Sequence, residues 1–176
     1  MNTLQKKILS ADRLLFVTGA LVLILTLLFR VHLLNLPIDR DEGEFAYAGW
    51  RMLNGGIPYL DFYNMKMPGI YTLYALLFSL FGSTVIAIRT GLIFINLANA
   101  FLVYRLSKRW SDVRTGIYAS ICYLIFSIQV ELQGTSTHAE HVAMLFVLSG
   151  FLIFTSAVSL KSVKRLFWSG VLLGTA

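Results

Sequence analysis

Leu14-Leu15-Phe16-Val17-Thr18-Gly19-Ala20-Leu21-Val22-Leu23-Ile24-Leu25-Thr26-Leu27-Leu28-Phe29-Arg30-Val31-His32-Leu33-Leu34 is the stretch that decides the fold class. It carries no charge before Arg30, and its length matches the roughly 20 apolar residues a helix needs to cross a hydrocarbon core. Lys6, Lys7 and Arg13 precede it, as in a secretory signal. No small-residue cleavage site follows, and Arg30-Val31-His32 stands in its place. The stretch therefore reads as an uncleaved signal-anchor helix, 14–34, with its N-terminus in the cytosol.

Further apolar runs cover 85–106, 115–132, 141–160 and 166–176. Only 14% of the 176 residues are charged and 57% are hydrophobic. Mean hydropathy is +0.71, whereas a soluble domain carries about one quarter charged residues. These values exclude a compact soluble domain. They predict an all-α, polytopic transmembrane helix bundle, with residues 1–176 forming the N-terminal part of one membrane domain. The last run stops in mid-helix, from which a longer protein is expected. The net charge of +6 is gathered in short clusters beside the apolar runs. That pattern sets topology and does not form a nucleic-acid surface. The single cysteine, Cys122, lies inside an apolar run, so it builds neither a disulfide nor a thiolate metal site and reads as a packing residue.

The stretch 68–81 is apolar and aromatic, but as a helix its 14 residues rise only about 21 Å. If it spanned, the clusters Lys108-Arg109-Arg114 and Lys161-Lys164-Arg165 would face away from the basic N-terminus. If it lies on the membrane, all three basic clusters share the cytosolic side. The second arrangement is the expectation, with interfacial helices at 42–54 and 68–81 inside an extracytoplasmic loop of 35–83. A second, short outer loop falls around 133–140.

Five of the nine acids lie in the first loop, four of them within Asp39-Arg40-Asp41-Glu42-Gly43-Glu44. Asp39 with Glu42, or Asp41 with Glu44, has capping-box spacing for the helix that Gly55-Gly56 closes. Capping needs fewer acids than this, and crowded carboxylates repel one another unless a proton, cation or substrate sits among them. A carboxylate at the edge of an apolar layer is also suited to general-base work. Lys66, shortly before Pro68 and a helix start, has the chemistry to meet a phosphate, although a snorkelling lysine looks the same in sequence. In Thr135-Ser136-Thr137-His138-Ala139-Glu140-His141 the histidines and the glutamate suit a divalent metal or a polar substrate. The plainer account has Ser136 or Thr137 capping the next helix and Glu140 completing a capping box. Arg30 and Arg89 fall near the outer ends of their spans, where Glu131 is a plausible partner for either.

Asp41-Glu42-Gly43-Glu44-Phe45-Ala46-Tyr47, then Gly55-Gly56-Ile57-Pro58-Tyr59-Leu60-Asp61, Lys66-Met67-Pro68-Gly69-Ile70-Tyr71 and Leu80-Phe81-Gly82 together resemble the N-terminal part of GT-C glycosyltransferases. The resemblance is to the dolichyl-phosphate-mannose protein mannosyltransferase and aminoarabinose transferase type. It implies inverting transfer of a sugar from a polyprenyl-phosphate donor to an acceptor hydroxyl on the extracytoplasmic face. It maps the acceptor base to Asp41 with Glu42 beside it, the lysine that meets the carrier phosphate to Lys66, and the acidic motif of the second loop to His138-Ala139-Glu140. Met67 departs from the proline pair that usually follows this lysine.

Catalytic candidates are therefore Asp41 and Glu42. Substrate-binding candidates are Lys66, Arg89, Tyr47, Asp61, His138 and Glu140. No cofactor is identified; Asp41, His138 and Glu140 are the donors should a divalent metal bind. Expected partners are a polyprenyl-phosphate-linked sugar, a glycan, lipid or protein acceptor, and membrane lipids, with no nucleic acid. The expected location is a bacterial or archaeal plasma membrane, and the fragment alone is expected to be inactive. The alternative is a non-enzymatic transporter or lipid-binding membrane module. It calls for broken helices and polar groups at mid-membrane, where only Asn96 and Asn99 stand.

Overall fold

A computed structural model describes residues 3–176, with side chains from residue 11 onward. The side chains of Lys6 and Lys7, part of the basic cluster read from the sequence, lie outside the described residues. The described secondary structure is helical throughout: α1 Thr3–His32, α2 Arg40–Leu53, α3 Gly69–Phe81, α4 Val85–Trp110, α5 Val113–Phe126, α6 Ala139–Leu160 and α7 Val163–Gly174. No strand occurs among these residues, and the fold is a helical bundle of membrane type.

Among the described residues three helices are long and apolar enough to cross a membrane: Ala11–His32, Val85–Trp110 and Ala139–Leu160. On α1, Leu14, Phe16, Val17, Leu21, Ile24, Leu25 and Leu28 are all more than half exposed. Such a continuous apolar surface suits hydrocarbon and not water. α4 is the central helix and packs against α1, α3, α5 and α6. Its buried side includes Ala87, Ile88, Gly91, Leu92, Ile95 and Ala100.

The two short helices expected in the first loop are present. α2 begins at Arg40, two residues earlier than the spacing predicted. It buries Phe45, Ala48 and Gly49 against α3, and Gly49 allows this approach, because a Cβ there would meet Tyr74 Cβ at 2.7 Å and the Ala75 amide at 2.8 Å. After the C-cap Asn54, Gly55 takes φ +83° and the Gly56 amide donates back to the Arg51 carbonyl. That is the left-handed stop that glycine permits. α3 then packs Ile70, Tyr71, Tyr74 and Phe78 onto Phe45, Ala87 and Ile88, which ties both short helices to the N-terminal end of α4.

Two sequence expectations change. The run 115–132 is not helical to its end, since α5 stops at Phe126. Residues 127–138 form an irregular segment. Arg30, on α1, donates to the Ser127 carbonyl and hydroxyl and to the Gly134 carbonyl. Carbonyls that leave a helix at membrane depth need such partners, and hydropathy cannot register a donor supplied by another helix. Cys122 is exposed on α5, so it does not pack in the bundle interior.

Candidate active site

The site is built on the N-terminus of α2. Asp39 is its N-cap, accepting from the Glu42 amide at 2.9 Å, while the Glu42 carboxylate accepts from the Asp39 amide at 3.2 Å. Of the two capping boxes the sequence offered, the structure forms this one. Asp39 also meets His138 Nε2 at 3.0 Å through its other oxygen. Burial pushes the Asp39 carboxyl up. The Glu42 amide, the His138 ring and the Ser136 hydroxyl oppose it, and the net position is below the ordinary carboxylate value.

Glu42 points inward and is wholly enclosed. Arg89 of α4 grips both its oxygens, the second at 2.9 Å, and the Thr137 amide donates to the first. The same guanidinium donates to the Pro37 and Thr135 carbonyls, each at 2.9 Å. One buried ion pair therefore joins the end of the α1–α2 connection, α2, α4 and the α5–α6 connection. Tyr74 completes the joint by donating its hydroxyl to the Thr137 carbonyl at 2.8 Å. Burial, reinforced by the Glu42 carboxylate, holds that hydroxyl above the ordinary phenol value, so it stays a neutral donor.

Outside this joint, a cleft of about 320 Å³ opens between the first turns of α2 and the irregular segment before α3. Arg40, Asp41, Glu44, Tyr63, Asn64 and Lys66 line it, with Phe45 and Met65. Glu44 accepts from Asn64 Nδ2 and from Arg40. The Lys66 backbone is pinned, its carbonyl accepting from Tyr59 and Tyr71 hydroxyls at 2.8 and 3.1 Å and its amide donating to Asn64 Oδ1 at 3.0 Å. Its ammonium lies 3.7 Å from Glu140 Oε1, at the start of α6. The cleft thus sets Asp41 and Glu44, with Arg40, on the α2 side against Asn64 and Lys66 on the other, so that charged groups of both signs share one opening.

The sequence candidates separate into two groups. Asp41 and Lys66 face the cleft, with Glu140 at the Lys66 side. Glu42 and Arg89 are consumed in the buried joint, which leaves them no surface for a substrate in this arrangement. Tyr47 is exposed beside Trp50, away from the cleft. Asp61 holds its own turn by accepting from the Ile57 amide at 2.7 Å. His138 is buried against Asp39 and Phe45. Asp41, His138 and Glu140 do not converge, and among the described residues no three His, Cys, Asp or Glu groups stand as a metal-ligand set. Glu131 partners neither arginine: Arg30 holds backbone carbonyls and Arg89 holds Glu42. α6 is capped by His138 with no side-chain hydrogen bond, so neither Ser136 nor Thr137 caps it and Glu140 completes no box there. Sequence reasoning passed over Tyr74 and read Thr137 only as a helix cap, because their observed roles depend on a contact 63 residues apart. It also passed over two cleft walls: Arg40, which stands within the acidic stretch it singled out, and Tyr63, which lies between two quoted motifs.

No curated protein and no solved structure matches the chain. A family model described as dolichyl-phosphate-mannose-protein mannosyltransferase matches residues 66–176, from the cleft lysine to the end of the sequence. With more than half of its length matched and three helices fit to cross a membrane, the chain belongs to the dolichyl-phosphate-mannose-protein mannosyltransferase family of membrane glycosyltransferases.

Proposed function

We propose that this chain carries the acceptor-and-donor cleft of an inverting transferase that moves a sugar from a polyprenyl phosphate to an acceptor hydroxyl. The reading rests on one observation: Asp41 and Lys66 line the same cleft. Asp41 takes the proton of the acceptor hydroxyl as its oxygen attacks the anomeric carbon. The bond from that carbon to the phosphate oxygen breaks on the opposite side. The electron pair leaves with the phosphate, whose added charge the Lys66 ammonium stabilises. Glu42 and Arg89 act as positioning residues, because their joint fixes the first turn of α2 and so the place of Asp41.

Topology fits the same reading. α3 has 13 residues and rises only about 20 Å, so we assign it to the outer membrane surface with α2. The basic groups at the end of α4 and at the α6–α7 junction then fall on the cytosolic side with the N-terminus. The cleft lies at the opposite end of α4, where a lipid-linked phosphate meets water while its tail stays in the bilayer.

The test is transfer from polyprenyl-phosphate sugars by the full-length protein that carries this chain, in membranes. Asp41→Asn is expected to lower kcat by about 10²-fold or more with little change in donor KM. Lys66→Ala is expected to impair both. Undiminished transfer in both variants would overturn the assignment.

A further inference from the structure

A second polar cleft lies at the far end of α4. Arg89, beside the first site, and Arg109 are separated by 20 residues, a rise of about 30 Å and the thickness of a hydrocarbon core. There α4 and α6 enclose about 470 Å³ lined by Phe101, Tyr104, Arg105, Lys108, Arg109 and Leu152. Arg109 is anchored, its Nη2 donating to the Thr155 carbonyl at 3.0 Å and the Ser159 hydroxyl at 2.9 Å. The Arg105 guanidinium sits 5.6 Å from the Phe101 ring centroid, and the Lys108 ammonium 5.6 Å from that of Tyr104. These stackings hold two further cations at the rim.

Among the described residues no carboxylate pairs with Arg105, Lys108 or Arg109. The acids at this end are engaged elsewhere: Asp12 holds Arg114, and Asp112 caps α5 through the Thr115 amide. A topology signal requires only positive charge near a span. It does not require a concave site, an anchored guanidinium and an apolar floor. Phe101 stands eight residues before Arg109, about 12 Å deeper along the axis. The cleft is therefore cationic at the membrane surface and apolar toward the core. That is the profile of an anionic amphiphile, and basic pockets between spanning helices bind such headgroups. A free phosphate would use the rim and leave the floor unfilled.

We propose that this cleft is a binding site for an anionic phospholipid, its phosphate between Arg105, Lys108 and Arg109 and an acyl chain along Phe101 and Leu152.

The experiment titrates phosphatidylglycerol, phosphatidylcholine or inorganic phosphate into the full chain in uncharged detergent and reads the melting temperature. Saturable stabilisation by phosphatidylglycerol alone is expected. The double variant Arg105→Gln, Lys108→Gln should weaken that response by about ten-fold or more, while its melting temperature without lipid stays near that of the parent. The double variant Lys161→Gln, Lys164→Gln removes equal charge outside the cleft and should change affinity by less than about two-fold. If the first variant does not fold, Arg105→Lys with Leu152→Trp keeps the charge but fills the floor, and the expected loss is the same. Equal stabilisation by phosphatidylcholine, reproduction by phosphate alone, or equal loss in the Lys161/Lys164 variant would overturn the proposal.

Discussion

Arg89 and Glu42 form a two-point ion pair in which the side chains are 3% and 0% exposed. The remaining guanidinium hydrogens go to backbone carbonyls of 36, 37 and 135, so the pair is fully satisfied. Isolated charges in such a place are costly, and the geometry explains why both are tolerated.

Removing one partner should therefore damage the fold more than removing an exposed charge. Glu42→Ala leaves Arg89 buried and unpaired, at an expected cost of about 3–5 kcal/mol. Arg89→Lys should fail to restore stability, because an ammonium cannot bridge two carboxylate oxygens and three carbonyls. Thermal unfolding of the detergent-solubilised protein measures both. A shift no larger than that of Arg40→Ala, whose side chain is 88% exposed, would contradict the clamp.

Asp39 gives the joint a pH dependence. Its folded value is depressed, so its contribution is present above the unfolded carboxyl value, about 3.9, and is lost as pH falls through the lower folded value. Asp39→Asn keeps a competent helix cap while removing the charge. Melting temperatures between pH 3 and 7 should show a decline at the acid end in the parent that is shallower in the variant. Parallel curves would show that Asp39 does not carry it.

Under the proposed function, Glu140 would compete with a donor phosphate for the Lys66 ammonium. The pair is 3.7 Å apart with both side chains substantially exposed, so it contributes little to stability. Glu140→Gln is expected to tighten binding of a polyprenyl phosphate by about two- to five-fold and to leave the melting temperature nearly unchanged. Weaker binding would instead make Glu140 part of the ligand's own contacts.

Arg30 acts on the irregular segment after α5. Arg30→Leu strands the Ser127 and Gly134 carbonyls, each costing about 1–3 kcal/mol when buried without a partner. Hydrogen exchange across 127–138 should accelerate, with α2 and α3 little affected. Unchanged exchange there would remove Arg30 from this role.

Membrane class, the long apolar helices and the two short helices of the first loop were legible in the sequence, because hydropathy and three-and-four spacing are local properties. The crowding of acids in one loop and the lysine before a helix start were legible for the same reason. Asp41 and Glu42, however, look alike to any local rule. One residue along a helix turns the side chain by about 100°, which leaves Asp41 in the cleft and carries Glu42 into the interior. That Glu42 is accepted there depends on Arg89, 47 residues away. The end of α5 likewise depends on Arg30, 97 residues before Ser127 in the chain. Sequence alone determined that the acids crowd into one loop directly after a long apolar helix. Only tertiary structure decided which carboxylate lines the cleft and which is buried in an ion pair, because burial and pairing are properties of contacts between distant segments.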